Sequence, residues 1–223
     1  KCSSLLNGSK ILVSQQTKGV LQKIKKNIVN NTSEKIFFGE NYNYEKNTCG
    51  FCYNDDQGKI NLPLPNLSGD FQISNVSTAI ATARKLDKFK IADSHIKEAI
   101  IKIRSEGRLQ NITQGKLRNY VSKNNQILID GAHNPLAASA IEKYLGTLNS
   151  KRKIIMLLGM MANKEHKKFI QMFKNRVHSI IALDIPNQEN FIKKVKLLKV
   201  ARSCGIPSKT ENSIQSALKN IAK

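Results

Sequence analysis

The densest run of chemistry-bearing residues in this 223-residue chain is Leu128-Ile129-Asp130-Gly131-Ala132-His133-Asn134-Pro135. An apolar pair, an acid, a glycine, an imidazole and then Asn-Pro read as a buried strand, a tight turn and a helix start. Asn is a favoured N-cap, and Pro suits the first helical position, where no amide hydrogen is needed. This order puts Asp130 at the carboxyl end of a parallel strand. It puts His133 at a helix N-terminus, where free amides and the helix dipole attract anions. In open α/β sheets ligands bind at such strand ends. An acid there can accept from ribose hydroxyls, and an imidazole can reach a phosphate. The same residues also suit a plain capping turn with an incidental histidine.

Two more clusters carry chemistry. Gly107-Arg108-Leu109-Gln110 sets a guanidinium, suited to bidentate phosphate contact, beside a glycine that admits close backbone approach. A surface linker would look the same. Gly69-Asp70-Phe71-Gln72-Ile73-Ser74-Asn75 opens a helical run. There Asn75 either reads a base edge or caps the helix.

Short elements must position these residues. Ile11–Val13 and Lys35–Phe38 read as strands, separated by a helical repeat of Val20, Leu21, Ile24 and Ile28. Gly50–Tyr53 and Lys59–Leu62 flank Asn54-Asp55-Asp56-Gln57-Gly58, a hairpin signature. Leu62-Pro63-Leu64-Pro65 excludes a helix. Val76, Ala79, Ile80, Ala83 and Leu86 line one helix. Ser94 is placed to cap another, with Ile96, Ala99, Ile100 and Ile103 inward. From Gln126 the pattern alternates. Strands are expected over 126–129, 153–158 and 178–183. Helices are expected over 135–148 (Leu136, Ala137, Ala140, Ile141, Tyr144 and Leu145 inward), 164–173 and 191–201, with a last helix through Ile214, Ala217, Leu218 and Ile221. Such alternation with short loops implies a doubly wound parallel sheet, and a domain boundary falls near Gly107.

Composition narrows the partners. Lys and Arg total 37 against 16 Asp and Glu, a net charge of +21. That charge favours anionic partners. The basic residues are mostly lysine and are scattered, with no aromatic-interleaved basic block, which argues against a nucleic-acid binder. No run of 18 apolar residues predicts a membrane helix. Four cysteines, Cys2, Cys49, Cys52 and Cys204, are too few for a disulfide framework and fit a reducing cytoplasm. The Cys49-Gly50-Phe51-Cys52 pair lacks the second knuckle that a structural zinc needs.

In this order the three clusters resemble folylpolyglutamate synthase/dihydrofolate synthase, a branch of the Mur ligase superfamily. That family carries a His-Gln-x-x-Asn helix start, a Gly-Arg junction and Asp-Gly-Ala-His-Asn-Pro. Here they read Phe71 to Asn75, Gly107-Arg108 and Asp130 to Pro135. Leu62-Pro63-Leu64-Pro65, Leu158-Gly159-Met160-Met161 and Ala182-Leu183-Asp184-Ile185-Pro186 match as well. A peptidoglycan Mur ligase usually carries Asp-Tyr-Ala-His at Asp130–His133, which favours the folate branch.

The resemblance implies an α/β protein: the back part of a P-loop-type ATPase domain (residues 1–106) followed by a Rossmann-like parallel-sheet C-terminal domain (107–223) without its last strand. It implies an ATP-dependent ligase that adds L-glutamate to a folate, with dihydropteroate as an alternative acceptor, through an acyl phosphate with Mg2+ on the phosphates. By position, Asn75 would contact adenine, Arg108 the phosphates and Asp130 the ribose, with His133 near the phosphate path. Lys1 would align with a lysine that the family carbamylates. The family's Gly-x-x-Gly-Lys-Ser/Thr loop and its upstream metal ligands are absent here, and Phe71 replaces the motif's His. The expectation is therefore a fragment inactive alone, one half of a split enzyme completed by a separate N-terminal half, or a gene remnant.

Overall fold

The structure, a computed structural model, describes residues 9–149 and 151–221. It divides into two units, Lys1–Arg104 and Ser105–Lys223.

In the first unit, β1 (Lys10–Val13) pairs in parallel with β2 (Glu34–Phe37), joined by α1 (Lys18–Asn27). Ile11, Val13, Ile28 and Phe37 close a small core there. An antiparallel meander follows: β3 (Tyr42–Lys46), β4 (Gly50–Asp55) and β5 (Gly58–Pro63). The β4–β5 turn is tighter than the five residues expected. Asp55 pairs with Gly58, and Asp55 Oδ1 accepts from Gln57 N at 2.9 Å. Gly50 is required by packing, since a Cβ there would sit 2.0 Å from the Leu62 carbonyl oxygen. Helices α2 (Phe71–Arg84) and α3 (Asp93–Lys102) lay Ile73, Val76, Ile80, Ile96 and Ile100 over Phe51, Tyr53, Ile60 and Leu62. Each such apolar side chain contributes roughly 1.5–3 kcal/mol by leaving water.

The helix ends of this unit are tied by charge. Arg84, the last residue of α2, reaches Asp55 at 2.7 Å and Asp93 at 2.8 Å, with Arg84 and Asp55 almost fully buried. Tyr53 Oη donates to the other Asp55 oxygen at 2.9 Å. Ser94 does not cap α3. The capping position is Ala92, and Ser94 lies inside the first turn. Ala99 is exposed, so only Ile96 and Ile100 form the buried face.

In the second unit, β6 (Gln110–Asn111) pairs antiparallel with β7 (Leu128–Ile129), across a 3-10 turn at Lys116–Tyr120. Then come α4 (Pro135–Gly146), β8 (Ile155–Leu158), α5 (His166–Gln171), β9 (Ser179–Ala182), α6 (Lys194–Ser203), β10 (Ser208–Thr210) and α7 (Ile214–Ile221). Strands β10, β9 and β8 form a parallel sheet in that order. Leu158, Phe169, Phe173, Ile180, Leu197 and Ile206 fill the core against it. The chain is thus α/β with a parallel sheet wound by helices, as the alternation implied.

One expectation fails where it matters. The segment before Asp130 is not a buried parallel strand. Only Leu128 and Ile129 pair, they pair antiparallel, and Ile129 is 37% exposed. Residues 107–111 fold back beside it and take the place a sheet neighbour would have had. Leu136 also faces solvent, 81% exposed, because the packed face of α4 runs through Ala138, Ile141 and Leu145.

Candidate functional site

The site residues of the second unit are built on a clasp between two loops. Asp130 Oδ2 accepts from Leu109 N at 2.8 Å, and Asp130 Oδ1 accepts from Ala132 N at 2.7 Å. Gly131 N donates to the Gly107 carbonyl at 2.8 Å, and Gly107 N donates to Gln110 Oε1 at 3.0 Å. Together these bonds fasten Gly107–Gln110 to Asp130–Ala132. The backbone bends sharply to allow it. Gly107 has φ +66°, and Leu109, though not a glycine, is held at φ +44°. A leucine at positive φ is strained and persists only where its surroundings demand it. The demand here comes from the charge-assisted bond to Asp130 and from the burial of Leu109, 2% exposed.

On this clasp sit the two groups suited to an anion. Arg108 lies between Gly107 and Leu109 and is exposed. Among the described residues its guanidinium has no hydrogen-bond or ion-pair partner. His133 is exposed as well, with Nδ1 at 3.0 Å from the Gly131 carbonyl oxygen. A carbonyl only accepts, so Nδ1 carries the hydrogen and Nε2 is left open; it donates to an anion in the form of the ring that holds its second proton. Immediately after it α4 begins as the sequence predicts. Asn134 Oδ1 caps Ala137 N at 2.9 Å, Pro135 takes the first position, and no acidic residue occupies the first turn. The N-terminal dipole of α4 is therefore not offset by its own side chains.

The structure thus brings the Arg108 loop, Asp130 and His133 together on one hydrogen-bonded scaffold. Asp130 is half-buried, and its two oxygens already serve backbone amides. Each carboxylate oxygen has a second lone pair, so capacity for a ligand hydroxyl remains.

Asn75 belongs to the first unit. It is exposed on the second turn of α2, with Nδ2 donating to Gln72 Oε1 at 2.9 Å. It therefore does not cap the helix. The capping position is Asp70, which makes no side-chain cap bond. Gln72 is buried and bonded to Asn75, and the sequence motif alone gives it no role. Its signal was the three-residue spacing of two amides on a helix. Lys1 lies outside the described residues. Among the described residues no three His, Cys, Asp or Glu side chains gather to hold a metal ion. No helix among them is long and apolar enough to cross a membrane.

The family model described as Mur ligase, glutamate ligase domain matches residues 107–223. The chain is 23% identical, over 192 residues, to the dihydrofolate synthase/folylpolyglutamate synthase of Buchnera aphidicola, covering 79% of this chain and 43% of that protein. It is 27% identical, over 140 residues, to the folylpolyglutamate synthase of Lacticaseibacillus casei, covering 61% of this chain and 30% of that protein. It therefore spans less than half the length of either relative. In fold it resembles the Mycobacterium tuberculosis folylpolyglutamate synthase complexed with ADP. The TM-score is 0.80 at 17% identity, over 95% of this chain and 46% of that one. With its second unit matched almost from end to end, the chain belongs to the Mur ligase family, which it joins through the glutamate ligase domain.

Proposed function

We propose that this chain is the nucleotide- and glutamate-handling portion of a cytoplasmic ATP-dependent ligase that joins L-glutamate to a folate. In that reaction the γ-phosphoryl of ATP passes to a substrate carboxylate. The glutamate nitrogen then attacks the acyl carbon, and phosphate leaves as the amide forms. The observation that carries the reading is the Asp130 clasp. It sets an unpartnered guanidinium and an open imidazole nitrogen on two loops that are bonded to each other. The names of the two curated relatives and the ADP in the similar structure support the same assignment.

On this reading each side chain has a distinct task. Arg108 binds phosphate oxygens through its planar fork. Asp130 orients the clasp and accepts from a ribose hydroxyl with its spare lone pairs. His133 Nε2, with the open α4 terminus, stands by the phosphates. Asn75 takes the adenine edge. Residues 1–106 are read as the back of the ATPase domain. Lys1 remains the position of a family lysine, and no metal ligand is assigned to this chain.

The sequence has no Gly-x-x-Gly-Lys-Ser/Thr loop. Such a loop supplies several preorganised amides and a lysine to the phosphates. Loss of one such donor alone costs about 3–4 kcal/mol in acyl transfer. The test is an ATP- and glutamate-dependent folate ligase assay. It is run on the 223-residue chain alone and mixed with the separately expressed N-terminal half of the Buchnera relative. Turnover is expected only from the mixture. Turnover by the chain alone overturns the dependence on a second half, and its absence from the mixture overturns the ligase reading.

A further inference from the structure

We propose that Gln110 is a positioning residue: it holds the amide of Gly107 and so presents the Arg108 guanidinium to a phosphate. The inference rests on the reading of Arg108 as the phosphate contact and goes beyond it by naming the side chain that presents that contact.

Four residues of the second unit, Gly107 to Gln110, make the turn. Gly107 N donates to Gln110 Oε1 at 3.0 Å, the Gly107 carbonyl accepts from Gly131 N at 2.8 Å, and Leu109 N donates to Asp130 Oδ2 at 2.8 Å. Arg108 sits exposed between these anchors and makes none of the three bonds itself. The direction of its side chain is therefore set by the backbone on either side. On one side Leu109 is fixed by its burial and by Asp130. On the other stands Gly107 at φ +66°, a glycine, whose backbone has more freedom to lose than that of any other residue. Among the described residues its N–H is held by Gln110 alone.

The Gln110 amide can take only one orientation there. A backbone N–H donates and never accepts, so the atom that faces it is Oε1. Half a turn about Cγ–Cδ would set Nε2 against the Gly107 N–H, two donors with no acceptor between them. The reach back over three residues is the one that a Glu or Gln makes at a helix start to tie down the first amide. No helix follows here. Gln110 instead begins β6, where its pairing with Ile129 fixes its backbone. The turn is thus closed twice, by the strand and by the side chain that leaves it. A guanidinium held in place before the ligand arrives loses less freedom on binding than one carried on a loose loop.

The test titrates ADP and adenosine into the full 223-residue chain by calorimetry, with circular dichroism to confirm folding. Gln110→Met removes the acceptor at similar volume and should weaken ADP binding about three- to tenfold. Adenosine, which has no phosphate for Arg108 to meet, should bind within about twofold of the parent value. Gln110→Asn, one methylene too short to reach Gly107, should repeat this pattern with an amide still in place. In an Arg108→Ala background Gln110→Met should change ADP affinity by less than about twofold, since no guanidinium is left to present. Equal weakening of ADP and adenosine, an undiminished loss in the Arg108→Ala background, or parent affinity for ADP in the folded Gln110 variants overturns the proposal alone. A chain that binds no ADP, or that keeps its ADP affinity in Arg108→Ala, overturns the reading of Arg108 together with it.

Discussion

Asp130 and Arg108 sit side by side on one clasp but carry opposite burdens, and substitution should separate them. Asp130→Ala takes the acceptors from Leu109 N and Ala132 N at once. Leu109 then has nothing to hold it at positive φ, and its buried amide is left unpaired. The expected loss is about 2–4 kcal/mol in urea unfolding, along with loss of nucleotide binding. Arg108→Ala touches no partner within the described residues, so its stability should stay within about 0.5 kcal/mol of the parent. Its affinity for ADP should fall by about tenfold, as for loss of one charge-assisted contact. If Arg108→Ala unfolds the chain, or Asp130→Ala leaves its stability unchanged, the division of labour is wrong. The sequence showed the Asn134 cap and the Pro135 start because both act within four residues. It hid the clasp, because one of the two amides that Asp130 serves, Leu109 N, lies 21 residues upstream in a turn that only positive φ at Gly107 and Leu109 makes possible.

Among the elements, the β4–β5 hairpin and the facing ends of α2 and α3 are joined through Arg84, which pairs with the buried Asp55 and with Asp93. Burial, and then the Asp55 charge and the hydrogen bond to it, push the Tyr53 phenol far above the usual value of 10.0. In the unfolded chain the phenol ionises near pH 10, while in the native hairpin it stays protonated. Above that pH the native state binds the extra proton, so stability falls as pH rises; below it the contribution is complete. Tyr53→Phe removes the donor to Asp55 and should cost about 1–3 kcal/mol at pH 7. The gap between parent and variant should hold steady to pH 9 and narrow above pH 10, read by urea unfolding across pH 7–11. A gap that stays constant to pH 11 would mean that the phenol ionises normally in the fold. Strands read well from sequence where β-branched residues cluster, as in β1 and β9. Strand β3 is not legible in the sequence because Tyr42-Asn43-Tyr44-Glu45-Lys46 mixes aromatics with residues rare in strands, although Tyr42 is buried and Tyr44 packs beside it. Strand β10 is Ser-Lys-Thr and shows no apolar pattern; it forms because β9 beside it offers a parallel edge.

At the level of the whole chain the two units differ in how their apolar residues are gathered. The second unit has one core, in which Phe169, Phe173 and Leu197 surround the parallel sheet β8–β10. The first unit splits its apolar residues between the meander core and a separate cluster of four buried residues around β1, β2 and α1. Helix α1 buries none of its ten residues fully, and among the described residues β1 pairs on one edge only. Two parallel strands make a weak sheet, since parallel strands are stable mainly when both faces are covered and neighbours flank them. Local opening follows low burial and open edges, so residues 10–39 should open more often than the second unit. Limited trypsin digestion should cut first among Lys18, Lys23, Lys25 and Lys26. It should leave a resistant fragment beginning after Arg104, identified by mass spectrometry. Lysines are spread along the whole chain, so cleavage order reports opening rather than site supply. Equal rates of cleavage in residues 10–39 and in β8–α7 would show that the small cluster is as well held as the larger core, and that β1 does not depend on a further strand for its stability.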